Sequence, residues 1–247
     1  MRQACVYLAG KTAAIQYAAQ ELKKAGVAFT PEPGAHVTAL LLDVPSLSPG
    51  GDLRMGGNLE ELLEAMPHAT VLGGNLDACP GHPVIDLLKD PLYQAENAYI
   101  TAECALEIAL TRLPRTLRDC PVLIIGWGRI GRCLAKLLGS LGARVTVCAR
   151  QASHRAICQA LGYTSGEAAY LGPQLDGFRL VFNTVPAPVF TQAQLERARD
   201  CVKIELASRQ GLLGEDVIVA RGLPGIHMPE SSGSLIARTC LRLMKEV

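Results

Sequence analysis

The chain has 247 residues, with 24 Lys+Arg against 23 Asp+Glu and a formal net charge of +1, so nothing in its charge recruits nucleic acid or an anionic membrane. At 49% hydrophobic but only 4% aromatic residues, it suits the aliphatic α/β interior of one large or two modest domains and not a base-stacking platform. Its nine cysteines include no CxxC pair and no His-rich ligand cluster, which predicts small core residues in a reducing cytoplasm, with no metal site and no disulfide framework.

The start, MRQACVYLAGK, meets a lysine after too short an apolar run for a secretory leader, and no later run approaches membrane-spanning length. Ala4 to Ala9 reads as a strand and Ala13 to Lys24 as a helix, with Ile15, Ala18, Ala19 and Leu22 facing inward. Between them, Gly10-Lys11-Thr12 has the ending of a phosphate loop, but Cys5 stands where its first glycine is required, so the Walker reading fails. Val37 to Val44 is a second strand, Pro45 to Gly57 a loop, Leu59 to Met66 a short helix and Ala69 to Leu72 a third strand. From Asn97 the sequence turns into a long helix, apolar in all directions, which is predicted to lead from a first α/β module into a second.

The second module opens on Pro121 to Gly131, PVLIIGWGRIG, the best-defined motif of the chain. An apolar strand runs into Gly126, Gly128 and Gly131, the spacing of a dinucleotide-binding turn. Each glycine has its own task there: a tight turn, a close approach of pyrophosphate to main chain, and a helix lying close on its strand. Leu134, Leu137, Leu138 and Leu141 then share a helical face, Gly142 stops the helix, and Arg144 to Cys148 completes a βαβ unit. Gly126, Trp127, Gly128, Arg129, Ile130 and Gly131 are therefore candidate cofactor-binding residues.

At the end of the second strand an NAD-preferring site carries Asp or Glu; here stand Ala149 and Arg150, with Ser153 close behind. Loss of the acid and gain of a guanidinium suit the 2′-phosphate of NADP, with NAD the alternative cofactor; the plain reading is a solvated surface arginine. Ala156 to Leu161 reads as a helix, Tyr163 to Ser165 as a short strand and Leu180 to Asn183 as the next strand. The loop after it, Asn183, Thr184, Val185 and Pro186, lies where open α/β sheets bind ligands, although a proline-stiffened turn reads equally well. Val202 to Leu206 is a further strand, followed by Ser208 and Arg209; another strand falls near Gly222, and a closing helix spans Leu235 to Lys245. Ser208, Arg209, Ser231 and Ser232 are candidate anchors for substrate carboxylates, and His227 is a candidate proton carrier at neutral pH.

The predicted class is α/β: two lobes of doubly wound parallel sheet, the C-terminal one a Rossmann dinucleotide-binding domain. The predicted divisions are a flavodoxin-like or truncated Rossmann substrate lobe at 1–96, an interdomain helix at 97–116, the NAD(P)-binding domain at 117–230, and a C-terminal helix at 231–247 returning to the first lobe.

Read together, ENAYITAECALEIAL, VLIIGWGRIGRCLAKLLGSLGARVTVCAR, FNTVPAPVF, LASRQG and GLPGIHMPESSG resemble the dipicolinate synthase A-subunit family from about Asn97 to Leu243. The resemblance implies NAD(P)-dependent oxidation of dihydrodipicolinate to dipicolinate, in the cytoplasm of sporulating bacteria and alongside a flavoprotein-like B subunit. It also implies that Asn97, Thr101 and Glu103 form a polar motif on the long helix, Glu103 being an alternative proton carrier to His227. Expected partners are a small dicarboxylate substrate, a further copy of the chain and the B subunit, without nucleic acid or membrane. Two loops depart from the family: Ala9-Gly10-Lys11-Thr12 stands in place of Gly-Gly-Asp-x-Arg, and Glu230 in place of a lysine. The second departure disfavours a dianionic substrate; a second reading is a dehydrogenase of another small carboxylic acid, and the two departures together favour a third, a non-catalytic NADP-binding regulatory subunit.

Overall fold

A computed structural model describes residues 5–245 apart from 49–51, 55, 77, 78 and 80. The chain divides into two compact units, 1–100 with 224–247, and 101–223.

The first unit runs β1 (Cys5–Leu8), α1 (Ala13–Lys24), β2 (Ala28–Thr30), β3 (Ala39–Leu41), α2 (Leu59–Ala65), β4 (Thr70–Gly73) and β5 (Val84–Asp86), then enters the helix α3 (Pro91–Arg112). Among the described residues its sheet is parallel and five-stranded, in the order β2-β1-β3-β4-β5. Neighbours change direction at β1, so a switch point lies between β1 and β3. Leu40 and Leu42 pack with Met66 and Val71 in one core cluster, while Leu41 and Leu72 pack with Ile15, Ala18 and Leu22 of α1 in another. This alternation is what a strand covered on both faces requires.

Asp90 accepts from the Tyr93 amide at 2.7 Å at the head of α3, where Pro91 loses nothing by lacking an amide hydrogen. The helix therefore begins at Pro91 and not at Asn97, and the boundary between units falls inside it, after Ile100.

The second unit continues with β6 (Pro121–Ile125), α4 (Arg129–Ser140), β7 (Arg144–Cys148), α5 (Ala152–Ala160), β8 (Thr164–Gly166), α6 (Ala168–Leu171), β9 (Leu180–Asn183), α7 (Gln192–Leu195), β10 (Val202–Glu205) and β11 (Val217–Val219). Its parallel sheet has six strands among the described residues, ordered β11-β10-β9-β6-β7-β8, with the switch point between β6 and β9. Leu123 and Ile125 join one core cluster, with Leu175, Val181 and Phe190. Two helices close the chain: α8 (Leu223–His227) and α9 (Pro229–Leu243), which lays Leu235, Ile236, Ala237 and Cys240 into the core beside α1.

The expected α/β class with two parallel sheets is the observed one. Several bounds move: the last strand lies at Val217–Val219 and not near Gly222, and the closing helix starts six residues before Leu235, at Pro229. All nine cysteines are free, and seven are buried. Burial pushes the Cys148 thiol up to about 11 and those of Cys201 and Cys240 to about 12, so these three stay protonated core groups.

Candidate dinucleotide site

At the end of β6 the chain turns sharply into α4. Gly126 has φ +104°, and a Cβ there would sit 2.4 Å from Thr184 Oγ1 and 2.9 Å from Val185 Cγ2. Only glycine satisfies both the backbone and the space. At Gly131 an added Cβ would meet the Gly126 carbonyl oxygen at 2.4 Å, so the helix can lie this close to the turn only without a side chain.

Gly128 differs. It is the exposed N-cap of α4 in extended backbone, no side chain caps the helix, and a Cβ added there would meet nothing within 4 Å. The first amides of α4 thus lack a side-chain acceptor, and the space in front of them is clear. Helix N-termini of this kind favour anions through their N–H groups and the helix dipole.

The other wall is the loop after β9. The Thr184 amide and hydroxyl both donate to the Ile125 carbonyl, each at 2.9 Å, which fixes the Thr184–Val185 pair against Gly126 across the switch point. Asn183 is buried and faces elsewhere: its Nδ2 donates to the Val185 carbonyl and to both oxygens of Glu205, each at 2.9 Å. Both of its amide hydrogens are committed to protein, so its part is to shape the loop. Trp127 is also enclosed; its ring meets Tyr163 edge-on at 6.0 Å, the Arg132 guanidinium carbon lies 5.8 Å from the ring centre, and Arg132 Nε donates to the Trp127 carbonyl at 3.2 Å. Arg129 is exposed and Ile130 half-buried in the first turn of α4.

Past β7, Ala149 is buried and Arg150 exposed, its side chain without a partner among the described residues; Ser153 is exposed in α5. Sequence reasoning missed Arg155, whose Nη1 donates to the carbonyls of Ala149 (2.9 Å) and Arg150 (2.7 Å) and so fixes this turn. It also missed Glu205, fully buried at the end of β10. A lone acid in the apolar stretch Val202 to Leu206, one strand away from Asn183, was the available signal.

The candidate substrate and proton residues do not gather in one unit. Ser208 and Arg209 are exposed beyond β10 in the second. His227, exposed, ends α8, and Ser231 and Ser232 lie in the first turn of α9, all in the first unit. Ser232 is buried and Ser231 exposed. On α3, Asn97 is half-buried in the first unit, while Thr101 (buried) and Glu103 (half-buried) belong to the second. Burial, with the Glu107 and Glu103 carboxylates, raises the neighbouring Cys104 thiol to about 11. Glu230 occupies the first turn of α9, where an acid stabilises a helix.

Two parallel α/β units, the second with a glycine turn open at its switch point, define a protein of the Rossmann-type α/β fold, and that fold is shared with the transhydrogenase of Sinorhizobium meliloti (14% identity, TM-score 0.69, covering 98% of this chain and 93% of that one). No family model matches the chain. Within that fold it is similar to the dipicolinate synthase A-subunit. The protein of that name from Bacillus subtilis (strain 168) is 28% identical over 160 residues, 61% of this chain and 54% of the relative, so the match spans about half the relative's length. The structure of the A-subunit from Bacillus halodurans covers 99% of this chain and 98% of its own, with 22% identity and a TM-score of 0.86. The expected resemblance is therefore present in both sequence and fold.

Proposed function

We propose that the chain is a dipicolinate synthase A-subunit, that is, a cytoplasmic oxidoreductase of sporulating cells that uses NADP, with NAD as the alternative, to oxidise dihydrodipicolinate to dipicolinate. One observation carries the reading. The α4 N-terminus is uncapped behind Gly128, where the space is clear, while Gly126 and Gly131 admit no side chain. The residues present fit a dinucleotide there, because its pyrophosphate would receive the α4 amides and fill the space that a side chain at position 128 would occupy.

When bound, the nicotinamide supplies the acceptor for hydride leaving the substrate carbon. Thr184, Val185 and Pro186 border its site from β9, and Arg150 holds the 2′-phosphate where Ala149 offers no acid to a ribose hydroxyl. Arg209, Ser208 and Thr101 in the second unit are proposed carboxylate anchors, and so are Ser231, Ser232 and Asn97 in the first. His227 or Glu103 takes the proton released as the ring aromatises. A second copy of the chain and a flavoprotein-like B subunit complete the proposed assembly.

Glu230, which replaces a lysine of the resembling family, favours the second reading, a dehydrogenase of a less anionic carboxylic acid. Two measurements decide. Calorimetry with NADP and NAD must show binding of at least one, or the oxidoreductase reading falls. Dihydrodipicolinate generated in situ must then yield the ultraviolet absorbance of dipicolinate, with or without a B subunit; binding without turnover removes the substrate assignment.

A further inference from the structure

Glu205 is 0% exposed at the carboxyl end of β10, and no Lys, Arg or His among the described residues pairs with it. Its two oxygens accept from three separate segments. Asn183 Nδ2 lies 2.9 Å from each oxygen; the Ala207 amide lies 2.9 Å from Oε1; and the Gly211 and Leu212 amides lie 2.7 and 2.8 Å from Oε2. Oε1 thus has two donors and Oε2 three, which fills the roughly four lone-pair sites of a carboxylate. With none left over, Glu205 is not placed to take a substrate proton or to hold a ligand.

The segments it joins are those with assigned tasks. Asn183, gripped by Glu205, accepts the Val185 amide on Oδ1 at 3.1 Å and donates to the Val185 carbonyl at 2.9 Å, shaping the loop whose next residue, Thr184, abuts the Gly126 turn. Ala207, Gly211 and Leu212 bracket Ser208 and Arg209. The Gly211 backbone also packs on the first loop: a Cβ there would lie 2.5 Å from Asn183 Nδ2, 2.6 Å from the Ala187 carbonyl and 2.8 Å from that of Val185.

We infer that Glu205 is a positioning residue that ties the Thr184–Pro186 wall of the dinucleotide site to the Ser208–Arg209 loop, so that the two loops order or loosen together. This rests on the dinucleotide reading for its consequence, but not for its geometry. The variant Glu205→Gln keeps the shape and turns one acceptor into an NH₂ group facing N–H donors.

Hydrogen exchange on the full chain should then accelerate at least tenfold together at Val185, Ala207, Gly211 and Leu212, and the NADP dissociation constant from calorimetry should rise at least tenfold. Emission from Trp127, the single tryptophan, should shift as Thr184 and Val185 leave Gly126. Asp43→Asn, which loosens a comparable buried carboxylate in the other unit, should leave all three readouts at their wild-type values. If Glu205→Gln does not fold, Gly211→Ala takes its place with the same expected outcomes. Faster exchange confined to residues 207–212, with Val185 protected and NADP affinity within twofold of wild type, overturns the inference; so does an equal loss of affinity in Asp43→Asn. Should wild-type protein bind neither nucleotide, the dinucleotide reading fails, and the exchange pattern alone decides the coupling.

Discussion

The two units start alike, each with a parallel strand, a glycine turn and a helix beside a switch point, yet they treat the helix N-terminus in opposite ways. In the first, Asp43, just past β3, reaches across the switch point. Its carboxylate accepts the amides of Lys11 (3.1 Å) and Thr12 (3.0 Å) and the Thr12 hydroxyl (2.7 Å). Thr12 in turn caps α1, accepting from the Ile15 amide at 3.4 Å. The chain supplies from within the negative charge that a phosphate would bring. In the second unit the neighbouring strand β9 contributes Thr184 and Val185, which contact Gly126 but leave the α4 amides uncapped by any side chain. Of two similar turns, one is met by an internal anion and the other leaves its helix amides without a side-chain acceptor.

The sharpest way to break this comparison is to give the second unit the first unit's solution. Gly128→Asp places a capping carboxylate in extended backbone at the head of α4, where nothing obstructs it. Stability should stay level or rise by a few tenths of a kcal/mol, roughly the Asp–Gly difference at an N-cap. NADP affinity should fall at least 100-fold, about 2.7 kcal/mol, because like charges now meet. Unaltered affinity in a calorimetric titration would show that the phosphates do not dock there. Gly10→Ala makes the reverse perturbation. Its Cβ would lie 2.8 Å from Asp43 Oδ1 and 2.8 Å from Ile15 Cγ2, so the first unit should lose about 1–3 kcal/mol in denaturant unfolding while NADP affinity stays put. Arg150→Asp is the milder change inside the open site: the ratio of NADP to NAD affinity should move toward NAD by about tenfold, roughly 1.4 kcal/mol. A constant ratio would remove Arg150 from the cofactor.

How much of this was legible in the sequence depended on range. The turn at Gly126–Gly131 was readable because its strand, glycines and helix are consecutive, and Gly126 and Gly131 meet the steric constraints that their spacing implies, while the space at Gly128 is open. The edge strands β2 and β5, three residues each, carry too little pattern to register. Both α3 and α9 were begun too late for one shared reason. Each opens on a proline, Pro91 or Pro229, that reads as a loop residue unless it is taken as the first position of a helix; Asp90 before the one and Glu230 after the other were the supporting signals. The partners of Asp43 and Glu205 were hidden for a different reason: they lie up to 32 residues away, and only the sheet order brings them together, although each acid stands out in its strand sequence.

The smallest expected difference between the units appears in acid, where the first unit's reliance on carboxylates should show. Burial works against the charge on Asp90, but the Tyr93 amide, the Arg242 guanidinium at 2.7 Å and the Leu92 amide outweigh it and hold the carboxyl below its ordinary value of 3.8. A carboxyl depressed by folding adds stability that is complete above its unfolded pKa and disappears as pH falls through the lower folded one. Arg242 is partly exposed, so its share is at the modest end for ion pairs, about 0.2–1 kcal/mol. Arg242→Gln should therefore unfold more readily than wild type in urea at pH 7, and part of that gap should close as the titration is repeated at successively lower pH through and below 4. Because Asp90 and Arg242 both lie in the first unit, the closing gap should appear in exchange at Tyr93 and not at Thr184. A gap of the same size at every pH would mean that Arg242 stabilises the first unit by packing, with no contribution from the charge on Asp90.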